Sequence, residues 1–145
     1  QIELELTEAW LESDRVSSLA LMNELKSWGF KVSVDDFGVG YSSVTRLAYY
    51  PIDKLKLDRA LVRGIKTSGR QYSLVKGIFN ICSELKIKCV VEGVEEKSQL
   101  TRLTEIGFSE FQGFYFSKPL TVSRYEKHVK THGLLFLDKT GQRLS

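Results

Sequence analysis

Residues 31–43 read KVSVDDFGVGYSS, and this stretch sets the organisation of the chain. Val32 and Val34 alternate with polar residues, which predicts a short buried strand. Two adjacent carboxylates, Asp35 and Asp36, come at the end of this strand. Adjacent carboxylates repel one another unless water, a base or a cation takes up their charge. Because water is least available at the end of an apolar strand, we expect other parts of the chain to supply a base or a cation.

Length and composition favour a single soluble globular domain. The chain has 145 residues, of which 42% are apolar and 27% charged, and its net charge is +3. This small and scattered charge does not imply a nucleic-acid polymer or an anionic membrane as a partner. The sequence contains no apolar run of about 18 residues and does not open with a signal-peptide pattern. Because it starts at Gln1 and its single methionine is Met22, we expect a piece of a longer protein.

The two cysteines bear on the cellular compartment. Cys82 and Cys89 fall in a predicted helix and a predicted strand, where buried reduced thiols are the favoured interpretation. Their spacing matches no metal-binding template, and no histidine is near. A reducing, cytoplasmic setting is therefore expected, and an upstream membrane anchor in the parent protein stays open.

Strand and helix patterns alternate five times along the chain. Strands are predicted at residues 1–6, 31–35, 54–57, 88–91 and 108–112, and helices at 14–28, 43–48, 70–86, 97–106 and 121–130. This repetition predicts a parallel sheet, and right-handed crossovers then bring all strand C-termini to one edge. Residues 1–132 are expected to form this unit, followed by a tail or small hairpin at 133–145.

Three of the helices carry an apolar stripe that predicts the face turned toward the core. Gly29 is expected to end the first of these helices. The stripe in the first helix comprises Leu21, Leu25 and Trp28, the stripe in the helix at 70–86 comprises Leu74, Ile78, Ile81 and Leu85, and the stripe in the helix at 97–106 comprises Leu100, Leu103 and Ile106.

Acidic side chains collect at the predicted strand ends. A single acid there is usually a helix N-cap or a solvated loop residue, and Asp58, Glu8 and Glu95 each fit that interpretation. Acids at the ends of four separate strands indicate a site instead. The set comprises Glu5, Glu8, Asp35, Asp36, Asp58, Glu92 and Glu95, with Gln112 on the fifth strand.

The chemistry of this set favours a metal centre. Carboxylates clustered without histidine or cysteine are hard oxygen ligands that suit Mg²⁺, Mn²⁺ or Ca²⁺ better than zinc. The number of acids exceeds the usual share of one ion, so a two-metal site is a reasonable expectation. Two metal ions stabilise both the attacking and the leaving oxygen in phosphoester cleavage.

Lys56, inside the third predicted strand, is the second informative residue. It points the same way as Lys54 on the strand KLKL, and in a barrel interior it requires an acid or phosphate partner. It could then position an attacking water or neutralise a phosphate, while a solvated lysine at a sheet edge is the alternative. Lys54 is expected to be structural. Gly38 and Gly40 would let the loop backbone approach a ligand or partner closely.

Five motifs resemble the EAL-domain cyclic-di-GMP phosphodiesterases in order and spacing. They are ELTE at 5–8, DDFGVGYSS at 35–43, KLKLD at 54–58, VEGVE at 91–95 and QGFYFSKP at 112–119. The resemblance implies a TIM-like (β/α) barrel that linearises cyclic di-GMP to pGpG with two Mg²⁺ or Mn²⁺ ions, and calcium is expected to inhibit.

The resemblance also implies roles for residues at matching positions. Lys56 matches the residue that orients or activates the hydrolytic water, and Gln112 matches a glutamine on the substrate side. Glu95 matches a glutamate that holds the DDFG loop, and Glu8 matches a glutamate near the site. The implied metal ligands are Glu5, Asp35, Asp36 and Glu92.

The chain departs from the family pattern in three respects. Val39 and Val91 replace smaller residues, which is conservative enough to leave the site functional. The glutamate of the motif that names the family, and an asparagine ligand on the next strand, are not in this sequence; the resemblance implies that their positions would precede it. Because a TIM barrel takes eight strands and roughly 250 residues, we expect the C-terminal portion of the domain, an incomplete barrel of about five βα units.

The resemblance and the incomplete barrel each imply partners. Cyclic di-GMP is the implied ligand, and upstream sensory or GGDEF-type domains would fit the family. Open strand edges expose backbone groups and apolar surface, so instability of the isolated chain or oligomerisation is expected. A homodimer would form through the loop at 36–43 or through the open edges.

Alternatives to an enzyme remain at this point. One is a non-catalytic cyclic-di-GMP receptor that keeps the fold, and another is a dimerisation module acting through the DDFGVGYSS loop. Without the resemblance, the residues alone favour an Mg²⁺-dependent, enolase-like barrel enzyme with Lys56 as a base.

Overall fold

The computed structural model describes residues 2–11, 15–39, 44–66 and 69–132. Five strands form one sheet in sequence order: β1 (Glu3–Thr7), β2 (Lys31–Phe37), β3 (Lys54–Leu57), β4 (Lys88–Val91) and β5 (Glu110–Phe111). The helices are α1 (Glu8–Leu11), α2 (Arg15–Ser27), a 3₁₀ helix at Val44–Ala48, α3 (Arg59–Val62), α4 (Gly69–Glu84), α5 (Lys97–Ile106) and α6 (Val122–His132).

Every neighbouring pair of strands is parallel, so the predicted α/β class is confirmed. The strand order β1-β2-β3-β4-β5 brings the C-terminal ends of all five strands to one edge. Within the described residues, β1 and β5 each have a neighbouring strand on one side only. The sheet is therefore open, as expected for part of a barrel.

The core lies between one face of the sheet and the helices that cover it. Leu55 and Leu57 of β3 are fully buried on that face. Lys54 and Lys56 alternate with them and point to the opposite face, where Lys54 pairs with Glu3 at 2.8 Å. Other fully buried core residues include Met22, Val32, Val34, Val62, Val75, Cys82, Val91 and Leu103.

The helix face predicted from the apolar stripe is confirmed in α5, where Leu100, Leu103 and Ile106 are buried. The predicted faces are wrong in α2 and largely wrong in α4. In both helices the buried face is rotated by about one residue from the predicted stripe. Packing against the sheet selects the buried face, and apolar residues also occur outside that face, so the sequence pattern alone is ambiguous. In α2, Met22 and Ser18 are buried, whereas Leu21 and Trp28 are exposed. In α4, Val75, Ile78 and Cys82 are buried, whereas Leu74 and Ile81, and Leu85 just after the helix, are exposed.

Element bounds agree closely with the sequence prediction in the middle of the chain. The strand at 54–57, the strand at 88–91 and the helix at 97–106 match. β5 is shorter than predicted, and β2 continues through both aspartates to Phe37. Gly29 has φ of 85°, as a glycine that ends a helix requires. The predicted tail or hairpin at 133–145 lies outside the described residues.

Cys82 and Cys89 are free thiols, as predicted; Cys82 is fully buried on α4 and Cys89 is partly buried on β4. In the described part of the chain, none of the helices combines the length and apolar character that a membrane crossing requires.

A cluster around Asp53 joins the N-terminal ends of β2 and β3, at the edge opposite to the acids. The Asp53 carboxylate lies 2.6 Å from Nζ of Lys26 and 2.9 Å from Nζ of Lys31. It also accepts a hydrogen bond from the backbone N–H of Val32. Partial burial by itself would raise the pKa of Asp53, but these bonds outweigh it and lower the pKa to about 2. The cluster therefore contributes to the stability of the sheet.

Candidate metal centre and active site

Four strands bring one lysine and three acids together at the C-terminal edge of the sheet. The ammonium of Lys56 on β3 lies 2.9 Å from Oε1 of Glu92, just beyond β4, and 3.0 Å from Oδ1 of Asp35 on β2. Glu5 of β1 lies 3.3 Å away. The Lys56 side chain is 12% exposed. The alternative of a solvated lysine at the sheet edge is therefore wrong.

These acids keep Lys56 charged. Partial burial by itself would lower its pKa, but hydrogen bonds and charge from Glu92 and Asp35 raise the pKa well above its ordinary value. In this arrangement Lys56 acts as a positive charge and a hydrogen-bond donor at neutral pH. This argues against an enolase-like lysine base.

Three of the four predicted metal ligands form one compact group. Asp35, Asp36 and Glu92 each offer a carboxylate oxygen, and these oxygens lie within 4.8 Å of one another. Hard oxygen donors at such spacing fit Mg²⁺, Mn²⁺ or Ca²⁺. Glu5, the fourth predicted ligand, joins the group through its contact with Lys56.

The local geometry of β2 explains how two consecutive acids reach the same place. In a regular strand, neighbouring side chains point to opposite faces. Here the register between β2 and β3 shifts between Val34 and Phe37, and Asp36 has a positive φ of 58°. The backbone N–H of Asp36 donates to Oδ1 of Asp35 at 3.0 Å. The bulge and the left-handed residue together allow both carboxylates to approach Glu92.

Glu8 contacts the loop that follows the two aspartates. It begins α1 directly after β1, and its Oε2 accepts a hydrogen bond from the backbone N–H of Gly38 at 3.2 Å. Gly38 has φ of 104°, and a Cβ added there would clash with Cδ1 of Leu61. Glycine is therefore required for this loop to pack against α3.

Glu95 lines a cavity of about 240 Å³ beyond the ends of β3 and β4. The backbone N–H of Glu95 donates to Oε1 of Gln99, while the contact with the loop after Asp36 comes from Glu8. The cavity is lined by Arg59, Arg63, Gly93, Glu95 and Gln99. The two arginines were not predicted. They follow Asp58 and lie four residues apart in sequence, and this spacing is a visible signal that they share one helix face.

The other predicted positions fall at the same edge. Gln112 follows β5, and its backbone exchanges hydrogen bonds with Val91 and Val94 beside the end of β4. Asp58 is the N-cap of α3, since its carboxylate accepts a hydrogen bond from the backbone N–H of Ala60 at 2.7 Å. The interpretation of Asp58 as a helix cap is confirmed.

Comparison with known families identifies this arrangement. The family described as the EAL domain matches residues 1–119. The chain belongs to the EAL-domain family.

Several named EAL-domain proteins are similar in sequence. Cyclic di-GMP phosphodiesterase PdeR of Escherichia coli is 37% identical over 131 residues, which cover 90% of this chain and 20% of PdeR. Cyclic di-GMP phosphodiesterase RocR of Pseudomonas aeruginosa is 40% identical, covering 82% of this chain and 30% of RocR. The bifunctional diguanylate cyclase/cyclic di-GMP phosphodiesterase MucR of Pseudomonas aeruginosa is 35% identical, covering 81% of this chain and 17% of MucR. The chain thus spans at most about a third of these relatives.

Solved EAL structures share the fold. The EAL domain of Mycobacterium smegmatis DcpA superposes with a TM-score of 0.81 at 29% identity, covering 89% of this chain and 58% of the DcpA chain. Klebsiella pneumoniae BlrP1, solved with cyclic di-GMP and either calcium or manganese, gives a TM-score of 0.78 at 36% identity, covering 82% of this chain and 30% of the BlrP1 chain. The predicted TIM-like barrel, present here in part, is thereby confirmed.

Proposed function

We propose that the complete EAL domain to which this chain contributes hydrolyses cyclic di-GMP to linear pGpG with two divalent metal ions. The observation that carries the proposal is the compact group of Asp35, Asp36 and Glu92, two of which, Asp35 and Glu92, contact Lys56. Relatives with this family's domain are named cyclic di-GMP phosphodiesterases, and BlrP1 binds the dinucleotide with calcium or manganese.

The acids of this chain would hold the ions. Asp35, Asp36 and Glu92 supply one compact oxygen set, and Glu5 extends it toward β1. Bound Mg²⁺ or Mn²⁺ would polarise the phosphodiester and favour attack by water. Ca²⁺ prefers longer bonds and a more flexible coordination shell, so it would bind and inhibit.

The remaining side chains position the reactants. Lys56, held as a cation, donates a hydrogen bond to the attacking water or to a phosphate oxygen. Glu8 keeps the loop after the aspartates in place through Gly38. Gln112 would contact the substrate, and Glu95 would support the same loop when the domain is complete.

Assembly and location complete the proposal. The open edges of β1 and β5 favour pairing with further strands of the domain, or a homodimer formed through these edges or the loop at 36–43. Upstream sensory or GGDEF-type domains and a cytoplasmic location fit signalling through a soluble dinucleotide. Residues 1–132 would form the domain portion and residues 133–145 its tail.

The test measures conversion of cyclic di-GMP to pGpG by the complete protein, followed by chromatography. We expect hydrolysis with Mg²⁺ or Mn²⁺, none with a chelator and little with Ca²⁺. Asp35→Asn should reduce kcat at least about a hundredfold, since mutating a group that stabilises the transition state costs several kcal/mol. Glu3→Gln is the matched control, because Glu3 pairs with Lys54 away from the metal group.

Two results would contradict this function. Hydrolysis that persists in the presence of a chelator would exclude metal dependence. Tight binding of cyclic di-GMP without turnover under any of these ions would instead indicate a non-catalytic receptor.

A further inference from the structure

We propose that the Lys56 ammonium is a built-in counter-ion that competes with the metal for the same carboxylates and so limits metal affinity. This inference rests on the proposed function only in assuming that the acids bind a divalent ion. It assigns Lys56 a role in metal binding in addition to its implied role toward water.

The contacts of Lys56 place it inside the candidate metal group. Two of its three acidic partners, Asp35 and Glu92, are also members of the group whose oxygens lie within 4.8 Å of one another. The ammonium contacts them at 3.0 and 2.9 Å. Its side chain is mostly shielded from water, since 12% of it is exposed.

Such a contact set offsets the repulsion among the acids. Glu5, Asp35 and Glu92 converge on one positive charge, and charge-assisted hydrogen bonds of this kind are among the strongest in proteins. The site can therefore fold before any metal arrives. Without the ammonium, the clustered carboxylates would repel one another.

Competition follows from charge and distance. An ion held by Asp35 and Glu92 would lie within a few ångströms of the ammonium, and two cations at such a distance repel strongly where water is scarce. Metal binding therefore requires Lys56 to give up at least part of its contact with these acids. The loss of those contacts reduces the net affinity for the ion.

A matched control lies on the same strand. Lys54 precedes Lys56 by two residues and points to the same face, where it forms an ion pair with Glu3 at 2.8 Å. Glu3 is not a member of the candidate metal group. Removing the Lys54 charge changes the net charge equally but removes no competitor for the metal.

The test compares metal binding by the complete protein and by Lys56→Met and Lys54→Met, without cyclic di-GMP. Free Mn²⁺ is measured by electron paramagnetic resonance during a titration. Lys56→Met should bind Mn²⁺ at least about tenfold more tightly than the unchanged protein, and Lys54→Met should remain within about twofold of it.

Thermal unfolding provides a second measurement in case Lys56→Met folds poorly. Without metal, this variant should unfold at a lower temperature than the unchanged protein. Saturating Mn²⁺ should raise the unfolding temperature of the variant by more than it raises that of the unchanged protein. Equal or weaker Mn²⁺ binding by Lys56→Met, or a folding defect that Mn²⁺ does not correct, would overturn the proposal. Absence of Mn²⁺ binding by the unchanged protein would instead count against the proposed function.

Discussion

Replacing Asp53 by asparagine should destabilise the protein in a pH-dependent manner. The asparagine side chain would keep the shape and an acceptor for the Val32 N–H, but it would remove the negative charge that pairs with Lys26 and Lys31. The native pKa of Asp53 is lowered from 3.8 to about 2. That difference represents roughly 2.5 kcal/mol of native stabilisation at about 1.4 kcal/mol per pKa unit.

Solvent reduces this figure. The Asp53 side chain is 19% exposed and that of Lys31 is 43% exposed, so the ion pairs are partly screened. We therefore expect Asp53→Asn to lower the free energy of unfolding by about 1–2 kcal/mol near neutral pH.

The sign of the pH dependence follows from the lowered pKa. A carboxylate with a depressed native pKa stabilises the fold fully above its unfolded-state pKa of 3.8 and loses this contribution as the pH falls toward about 2. The difference between the original protein and Asp53→Asn should therefore shrink below about pH 4 and fall to about a third of its full size near pH 2.5.

Urea unfolding of the complete protein at several pH values would measure this difference. Asp58→Asn is the control, because asparagine caps a helix as well as aspartate does and should change stability little. The reasoning would be refuted by a difference that is absent at neutral pH or independent of pH. Metal affinity should not change, since Asp53 lies at the opposite edge of the sheet.

Two further substitutions test the loop and the helix face. Gly38→Ala should destabilise the protein by about 1–3 kcal/mol because of the positive φ at this position and the close approach of Leu61. Shortening Leu61 to alanine in the same variant should recover less than the full loss of stability. Complete tolerance of Gly38→Ala would contradict this loop geometry. Val75→Ala should lower the free energy of unfolding by about 2 kcal/mol because it leaves a cavity in the core, whereas Leu74→Ala, at an exposed position, should lower it by less than about 0.5 kcal/mol. Equal losses of stability in a denaturant titration would contradict the observed face and favour the stripe predicted from sequence.

Much of the fold followed from local patterns. β3, β4 and α5 were predicted with their observed bounds, because β3 alternates polar and apolar residues, β4 is a short run of mostly apolar residues and α5 is an amphipathic helix. Parallel βα connectivity then placed the acids at one edge without any knowledge of contacts. The position of Asp58 as a helix cap was equally local.

The faces of α2 and α4 did not follow from sequence. Leu74 and Val75 are neighbours of similar hydrophobicity, yet Val75 is buried and Leu74 is half-exposed. The choice depends on how the whole helix lies against the sheet, which involves residues distant in sequence. The arginine-lined cavity was missed for a related reason, since α3, the end of β4 and the start of α5 form it jointly.

The sequence by itself determined which residues stand at the strand ends: two adjacent aspartates, glutamates on neighbouring strands, and a lysine on β3. Only the tertiary structure decided that both aspartates approach the same glutamate, because local alternation would send consecutive side chains to opposite faces. The register shift against β3 and the positive φ of Asp36 override that alternation. The contacts of Lys56 with three acids were likewise decided by the tertiary structure, since these acids come from three different strands or their ends.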